Sequence, residues 1–197
     1  AFDPRHAPLL KHYRYSVLLD SIRDPFLDAC TWRIGAPFNL ELAREAAQLA
    51  VGTHDFRAFR SSADQRTSTI RSIYALNVER SADDPRILRI DVFGSAFLHN
   101  MVRILAGTIV DIGKASLNPN AIALAIASGQ RTDLGITAPA FGLCLQRIWL
   151  RRSFPSNLSW PSTGAWPSDD SGLPQLVLDR IASACDSDST ENSAKCD

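Results

Sequence analysis

Residues 87–113 read ILRIDVFGSAFLHNMVRILAGTIVDIG. In the first seven, Leu88, Ile90 and Val92 alternate with Arg89 and Asp91, the period of a half-buried strand. From Ala96 onward apolar residues occupy every side of the chain (Phe97, Leu98, Met101, Val102, Ile104, Leu105, Ile109, Val110). This predicts a helix over 96–112, buried between layers and ended by Gly113. Within that apolar run His99, Asn100 and Arg103 are polar, and they become the first residues to explain.

Upstream, Arg71 to Glu79 has strand character and leads through Ala82-Asp83-Asp84-Pro85 into the 87–93 strand, so the two read as an antiparallel pair. Tyr13 to Leu19 is aromatic and β-branched and predicts a further strand. Asn39 can cap a helix over Leu40 to Val51, with Leu42, Ala46, Leu49 and Ala50 on one side and Gly52 as its stop. Residues 53–69, THDFRAFRSSADQRTST, lose periodicity and predict a surface loop held by Phe56 and Phe59. Downstream, Asn118-Pro119 supplies a cap and first-turn proline for a helix through Ser128, and Leu143 to Leu150 reads as a last strand. The order β, α, loop, β, β, α, α, β predicts an α+β fold over residues 1–152, a mainly antiparallel sheet packed by helices. From 153 to 197 Ser, Pro and Asp dominate, and only Leu173 to Ala184 could form a short amphipathic helix. That segment reads as a flexible acidic tail, mostly disordered.

Composition narrows the function classes. With 45% hydrophobic and 21% charged residues the 197-residue chain is of ordinary globular type. No apolar run approaches the roughly 20 residues that span a bilayer, and the N-terminal residues lack signal-peptide order. The expectation is a soluble cytoplasmic protein, or an organellar one in a eukaryote. The first residue is Ala, consistent with a processed product or a piece of a longer chain. Net charge is zero, yet residues 1–152 hold 19 Lys plus Arg against 14 Asp plus Glu, while 153–197 hold 2 against 7. The body is therefore basic and the tail acidic. Cys30, Cys144, Cys185 and Cys196 have neither metal-ligand nor disulfide-framework spacing, and GxSxG, P-loop and GxGxxG patterns are absent.

Three stretches can carry chemistry. If Arg103 is buried it requires an anion, either a carboxylate from elsewhere or a phosphate; the alternative is a solvent-facing side chain or a structural ion pair. On a continuous helix His99 and Arg103 share a face. In Lys11-His12-Tyr13-Arg14-Tyr15, alternation puts Tyr13 and Tyr15 on one face of the strand and His12 and Arg14 on the other. Aromatics interleaved with cations suit unstacked RNA bases and phosphates, although core tyrosines with a solvated basic face would look the same. Arg57, Arg60, Arg66 and Arg71 read as phosphate contacts or as a solvated surface.

Taken in order, these segments resemble the C-terminal half of the tRNA pseudouridine synthase I (TruA-type) family. The segments are Tyr13-Arg14-Tyr15, Arg23-Asp24-Pro25-Phe26, Gly52-Thr53-His54-Asp55-Phe56-x-x-Phe59-Arg60, Arg71-Ser72-Ile73, Phe97 to Arg103 with Gly107-Thr108, and Arg131-Thr132 through Pro139 to Leu145. The resemblance implies a pseudouridine synthase-like C-terminal half that isomerises uridine in the tRNA anticodon stem-loop without metal or cofactor. Its partners would be tRNA and, in the intact enzyme, a second copy in a homodimer, with no membrane. By the same resemblance Tyr13 stacks on the target uracil, Leu143 lies on the other side of the base, and Arg103 pairs with the nucleophilic aspartate. Lys11, Arg14, Arg57, Arg60, Arg66, Arg71 and His99 would contact RNA. The family's nucleophilic Asp belongs to an R-T-D-x-G-V-H segment ahead of the tyrosine strand, and these residues do not include it. Arg131-Thr132-Asp133-Leu134-Gly135 imitates that segment, but its position matches a later one, so Asp133 reads as a surface-loop residue. The chain alone is therefore expected to be inactive. A catalytically silent RNA-binding or dimerisation module derived from the family is the alternative.

Overall fold

The computed structural model describes residues 8–150 apart from Ala36. The expected acidic tail and its 173–184 helix lie outside the described residues. Six strands form one sheet: β1 (Pro8–Leu19), β2 (Trp32–Ile34), β3 (Gly52–Asp55), β4 (Ile70–Arg80), β5 (Ile87–Gly94) and β6 (Leu143–Leu150). Their order is β2-β1-β5-β4-β3, with β6 also paired to β1. The pairs β1·β5, β5·β4 and β4·β3 are antiparallel, while β2 runs parallel to β1 through Val17–Leu19. The architecture is α+β with a mainly antiparallel sheet, as expected.

Three helices accompany the sheet: α1 (Leu40–Gln48), α2 (Met101–Gly113) and α3 (Ala121–Ser128). The strand residues turned toward them, Tyr15, Val17, Leu76, Val78, Leu88, Ile90 and Val92, are buried. Each such side chain contributes about 1.5–3 kcal/mol by leaving water. Buried Ala43, Ala46 and Ala47 give α1 a shallow face that lets it approach closely. Asn39 starts this helix, its side-chain oxygen accepting from the backbone N–H groups of Glu41 and Leu42 at 3.1 and 3.2 Å.

The other face of the sheet sets a polar cluster among buried Leu10, Leu18 and Phe93. Asp91 accepts from His12 at 2.6 Å and from the Arg14 Nε and Nη2 at 2.8 and 3.1 Å, and Phe93 stacks on the His12 ring. Burial alone would push the Asp91 carboxyl up, but the bonds from His12 and then Arg14 outweigh it and hold the group below the usual carboxylate value.

Several elements depart from the sequence reading. The helix expected over 96–112 begins at Met101, because Asn100 takes a left-handed φ of 64° that a helix interior does not accommodate. Leu98 is nevertheless buried, so a turn packed against the core mimics a helical pattern. His99 therefore precedes the helix and does not share a helical face with Arg103. The helix expected to reach Val51 ends at Gln48, its last N–H groups tightening onto carbonyls three residues back. The expected 53–69 loop contains most of β3, a polar strand at the end of the sheet order that pairs with β4. Three-residue β2 carried no readable pattern. The third helix starts at Ala121, after Asn118 has accepted from the Asn120 N–H at 2.8 Å. No helix among the described residues is long and apolar enough to cross a membrane.

Candidate active site

Arg103 lies in the first turn of α2. Its Nε donates to the Ala138 carbonyl at 2.7 Å, its Nη1 donates to the Asn100 side-chain oxygen at 3.1 Å, and its own carbonyl accepts from the Ala138 N–H at 3.1 Å. Both side-chain acceptors are neutral. Among the described residues no carboxylate lies within ion-pair distance of this half-buried guanidinium. The left-handed Asn100 is what aims its amide back at the arginine. A non-glycine residue in this conformation stores strain of the kind that gathers at functional sites.

The segment bearing Ala138 is clamped to α2. The Thr108 hydroxyl donates to Ile104 and accepts from the Gly135 N–H at 3.1 Å, and Asp111 accepts from the Ile136 N–H at 3.3 Å. A Cβ on Gly107 would fall 1.9 Å from the Ile136 carbonyl oxygen, so only glycine permits this approach. The next carbonyl, that of Pro139, accepts from the fully buried Tyr15 hydroxyl at 2.7 Å, and Gly142 lies against the Tyr15 ring. Leu143, half-buried, follows at once. The strand that carries Tyr13 and Tyr15 is thereby tied to the segment that holds Arg103 and presents Leu143.

Tyr13 shares the face of Tyr15 and meets the Phe97 ring edge-on, with centroids 5.3 Å apart and an interplanar angle of 88°. Burial pushes the pKa of both phenols up, with Arg103 opposing the rise at Tyr15, so both rings are neutral at ordinary pH. The sequence reading quoted Phe97 but gave it no role. Its proximity to Tyr13 depends on the β1·β5 register, which puts Tyr13 opposite Val92 and Lys11 opposite Gly94.

A second group surrounds the turn at 97–100. Asp64, its side chain only 3% exposed, accepts from the His99 N–H at 2.7 Å, and the His99 carbonyl accepts from Ser61 N–H at 3.0 Å. Arg66 Nη1 donates to the Phe97 carbonyl at 2.5 Å, and Arg60 donates to the Arg66 carbonyl at 3.2 Å. The Asp64 carboxyl is held low, first by the His99 N–H and, against its desolvation, by the Arg66 N–H and the charges of Arg66 and Arg60. This draws His99, Arg60 and Arg66 together, the Arg66 Nε lying 3.7 Å from the Asp64 carboxylate, and the charges of Arg66 and Asp64 are both felt at Arg71. Lys11 lies on the Tyr13 face. Arg14 is not brought to this group: it occupies the opposite face and is engaged with Asp91. Arg57 lies over Gly129 at the end of α3, and its Nε is 3.8 Å from Asp55. Asp133 accepts from the Ser128 hydroxyl at 2.5 Å and forms no ion pair with Arg103.

A family model described as tRNA pseudouridine synthase matches residues 46–148. The chain belongs to the tRNA pseudouridine synthase family. Among its relatives is a protein of Geotalea daltonii named tRNA pseudouridine synthase A, 41% identical over 149 residues, which cover 76% of this chain and 60% of the relative. Proteins of the same name from Geobacter sulfurreducens and Syntrophotalea carbinolica are 39% and 38% identical over 147 residues, covering 75% of this chain and 59% and 57% of theirs. The chain thus spans about three-fifths of the length of these pseudouridine synthase relatives.

Proposed function

We propose that this chain is the part of a tRNA pseudouridine synthase that grips the target uridine and seats the nucleophilic carboxylate, the nucleophile itself being supplied by residues other than these 197. The supporting observation is the Arg103 guanidinium. It is fixed by two neutral oxygens and remains able to bind an anion, which is what a carboxylate attacking a nucleotide needs beside it.

In this reading the target uridine of the anticodon stem-loop leaves its stack and its base lies on the neutral Tyr13 ring, whose plane is set by Phe97. Leu143 closes the opposite side. The aspartate assists cleavage of the C1′–N1 bond, the uracil turns, C5 bonds to C1′, and the C5 proton passes to solvent while N1 takes up a proton in its place. No atoms are gained or lost overall, so the reaction consumes no cofactor. Lys11, Arg60, Arg66, Arg71 and His99 contact the RNA around the base, whereas Arg14 and Arg57 reach it only by leaving the partners described above. The same reading carries tRNA as the substrate, a homodimer as the intact enzyme, and the cytoplasm as its place of action.

The test is tritium release from tRNA labelled at uridine C5. The 197-residue chain alone is expected to release none, and a polypeptide joining it to an N-terminal half of the family is expected to turn over. Turnover by the chain alone would defeat the divided site. Failure of the joined polypeptide, with tRNA binding retained, would favour the silent RNA-binding module.

A further inference from the structure

The 60–71 segment holds an arginine in a conformation that costs free energy unless something else binds it. Arg71 is half-buried and folds back on its own strand, Nη1 donating to the Ile70 carbonyl at 2.5 Å, while its Nε is buried with no acceptor. A buried donor left unmade costs about 1–3 kcal/mol. Burial and then the like charge of Arg66 push the Arg71 guanidinium down from its ordinary value, and Asp64 offsets only part of this. The neighbouring carboxylates are already engaged: Asp64 by the N–H groups of His99 and Arg66 and, at 3.7 Å, by the Arg66 guanidinium, Asp55 by the Thr69 hydroxyl and the Arg57 N–H. The Arg71 guanidinium is therefore left with an unmet donor, and among the described residues no carboxylate forms an ion pair with it.

The place is connected to the aromatic pair. The residue after Arg71 is Ser72, whose carbonyl accepts from Ser95 N–H at 3.2 Å and borders Gly94 together with the Phe97 ring. Arg66 is bonded to the Phe97 carbonyl, and Phe97 meets Tyr13. A base on the Tyr13 ring would bring its backbone past this point. An arginine fork matches a phosphate better than any other common anion, and the half-exposed Arg66 guanidinium, held 3.7 Å from Asp64, adds a second set of donors.

We propose that Arg71 and Arg66 form a seat for one RNA phosphate beside the Tyr13–Phe97 pair, with Arg71 swinging off the Ile70 carbonyl to take it. This rests on the RNA-binding part of the reading above and sharpens it: of the cations around the site, this pair carries the phosphate contact.

The experiment measures binding of an anticodon stem-loop oligonucleotide to the 197-residue chain by fluorescence anisotropy at rising salt, where each phosphate contact adds about one to the slope of log affinity against log salt. Arg71→Gln is expected to weaken binding and lower the slope by about 1, Arg71→Lys to keep it, and Arg89→Gln, at a cation paired with Asp83 on the far face, to leave it unchanged. In the free chain Arg71→Met, which removes the unmet donor, is expected to raise the melting temperature by about 2–4 °C. Equal slopes in Arg71→Gln and the parent chain would overturn the seat. So would equal loss in Arg71→Gln and Arg71→Lys, or the absence of RNA binding by the parent chain, which would leave an acidic protein surface as the anion. The absence of tritium release from the joined polypeptide would overturn the isomerase reading but not the phosphate seat.

Discussion

The two faces of the central strand pair carry cations of opposite kinds. On the face away from the helices Arg14 and His12 converge on Asp91, and on the same face Arg89 meets Asp83. On the face with Tyr13 Arg103 is bonded to the neutral oxygens of Ala138 and Asn100 and Arg71 to that of Ile70, while Arg66 bonds the Phe97 carbonyl and lies 3.7 Å from the Asp64 carboxylate. A paired cation stabilises the chain and has little affinity left for anything else. A cation on a carbonyl is solvated just enough to fold and retains most of its charge for an incoming anion. Similar arginines thus serve stability on one face and are available for binding on the other.

The two kinds of cation differ most at Arg103. In the joined polypeptide Arg103→Ala is expected to lower tritium release by about 10²–10³-fold while filter binding shows most of the tRNA affinity retained, a loss typical of removing one electrostatic stabiliser from a site. Retained turnover would put Arg103 with the structural cations. Next in size is Gly107→Ala, whose methyl would collide with the Ile136 carbonyl and push the 134–138 segment off α2. A destabilisation of about 1–3 kcal/mol in urea unfolding is expected.

On the compensated face, Asp91→Asn should destabilise at neutral pH by about 1–3 kcal/mol, because it leaves Arg14 half-buried without its counter-charge. The sign of its pH dependence follows from the depressed Asp91 carboxyl. The ionised group's contribution is complete above its unfolded value of about 3.9, and it is lost as pH falls through the lower folded value. Acid titration of stability should therefore be steeper in the parent chain than in Asp91→Asn, and equal slopes would mean the carboxyl is not perturbed. The smallest effect expected is that of Tyr15→Phe, about 1 kcal/mol in denaturant unfolding, for the one hydrogen bond to Pro139.

Much of this was legible along the chain. The alternation at 87–93 and the apolar run after it placed β5 and α2 because burial acts on neighbouring residues with a fixed period. Tyr13, Arg103 and Leu143 could be named from their motifs, and the structure links the segments that bear them. What stayed hidden was local where geometry is irregular. The helix start at Met101 turns on one left-handed Asn100, and β3 is too polar to announce itself by hydrophobicity.

Sequence alone determined the α+β order, the basic body and the family, since each rests on periodicity, composition or collinear motifs. Which arginine is neutralised and which remains open was settled by the folded chain. The partners that decide it are distant in the chain, Asp91 lying 77 residues from Arg14 and Ala138 lying 35 from Arg103, with Tyr15 reaching 124 residues to Pro139. No local pattern encodes contacts of that span. They exist because the β1·β5 register and the clamp on α2 close loops whose entropy cost is met by the whole core.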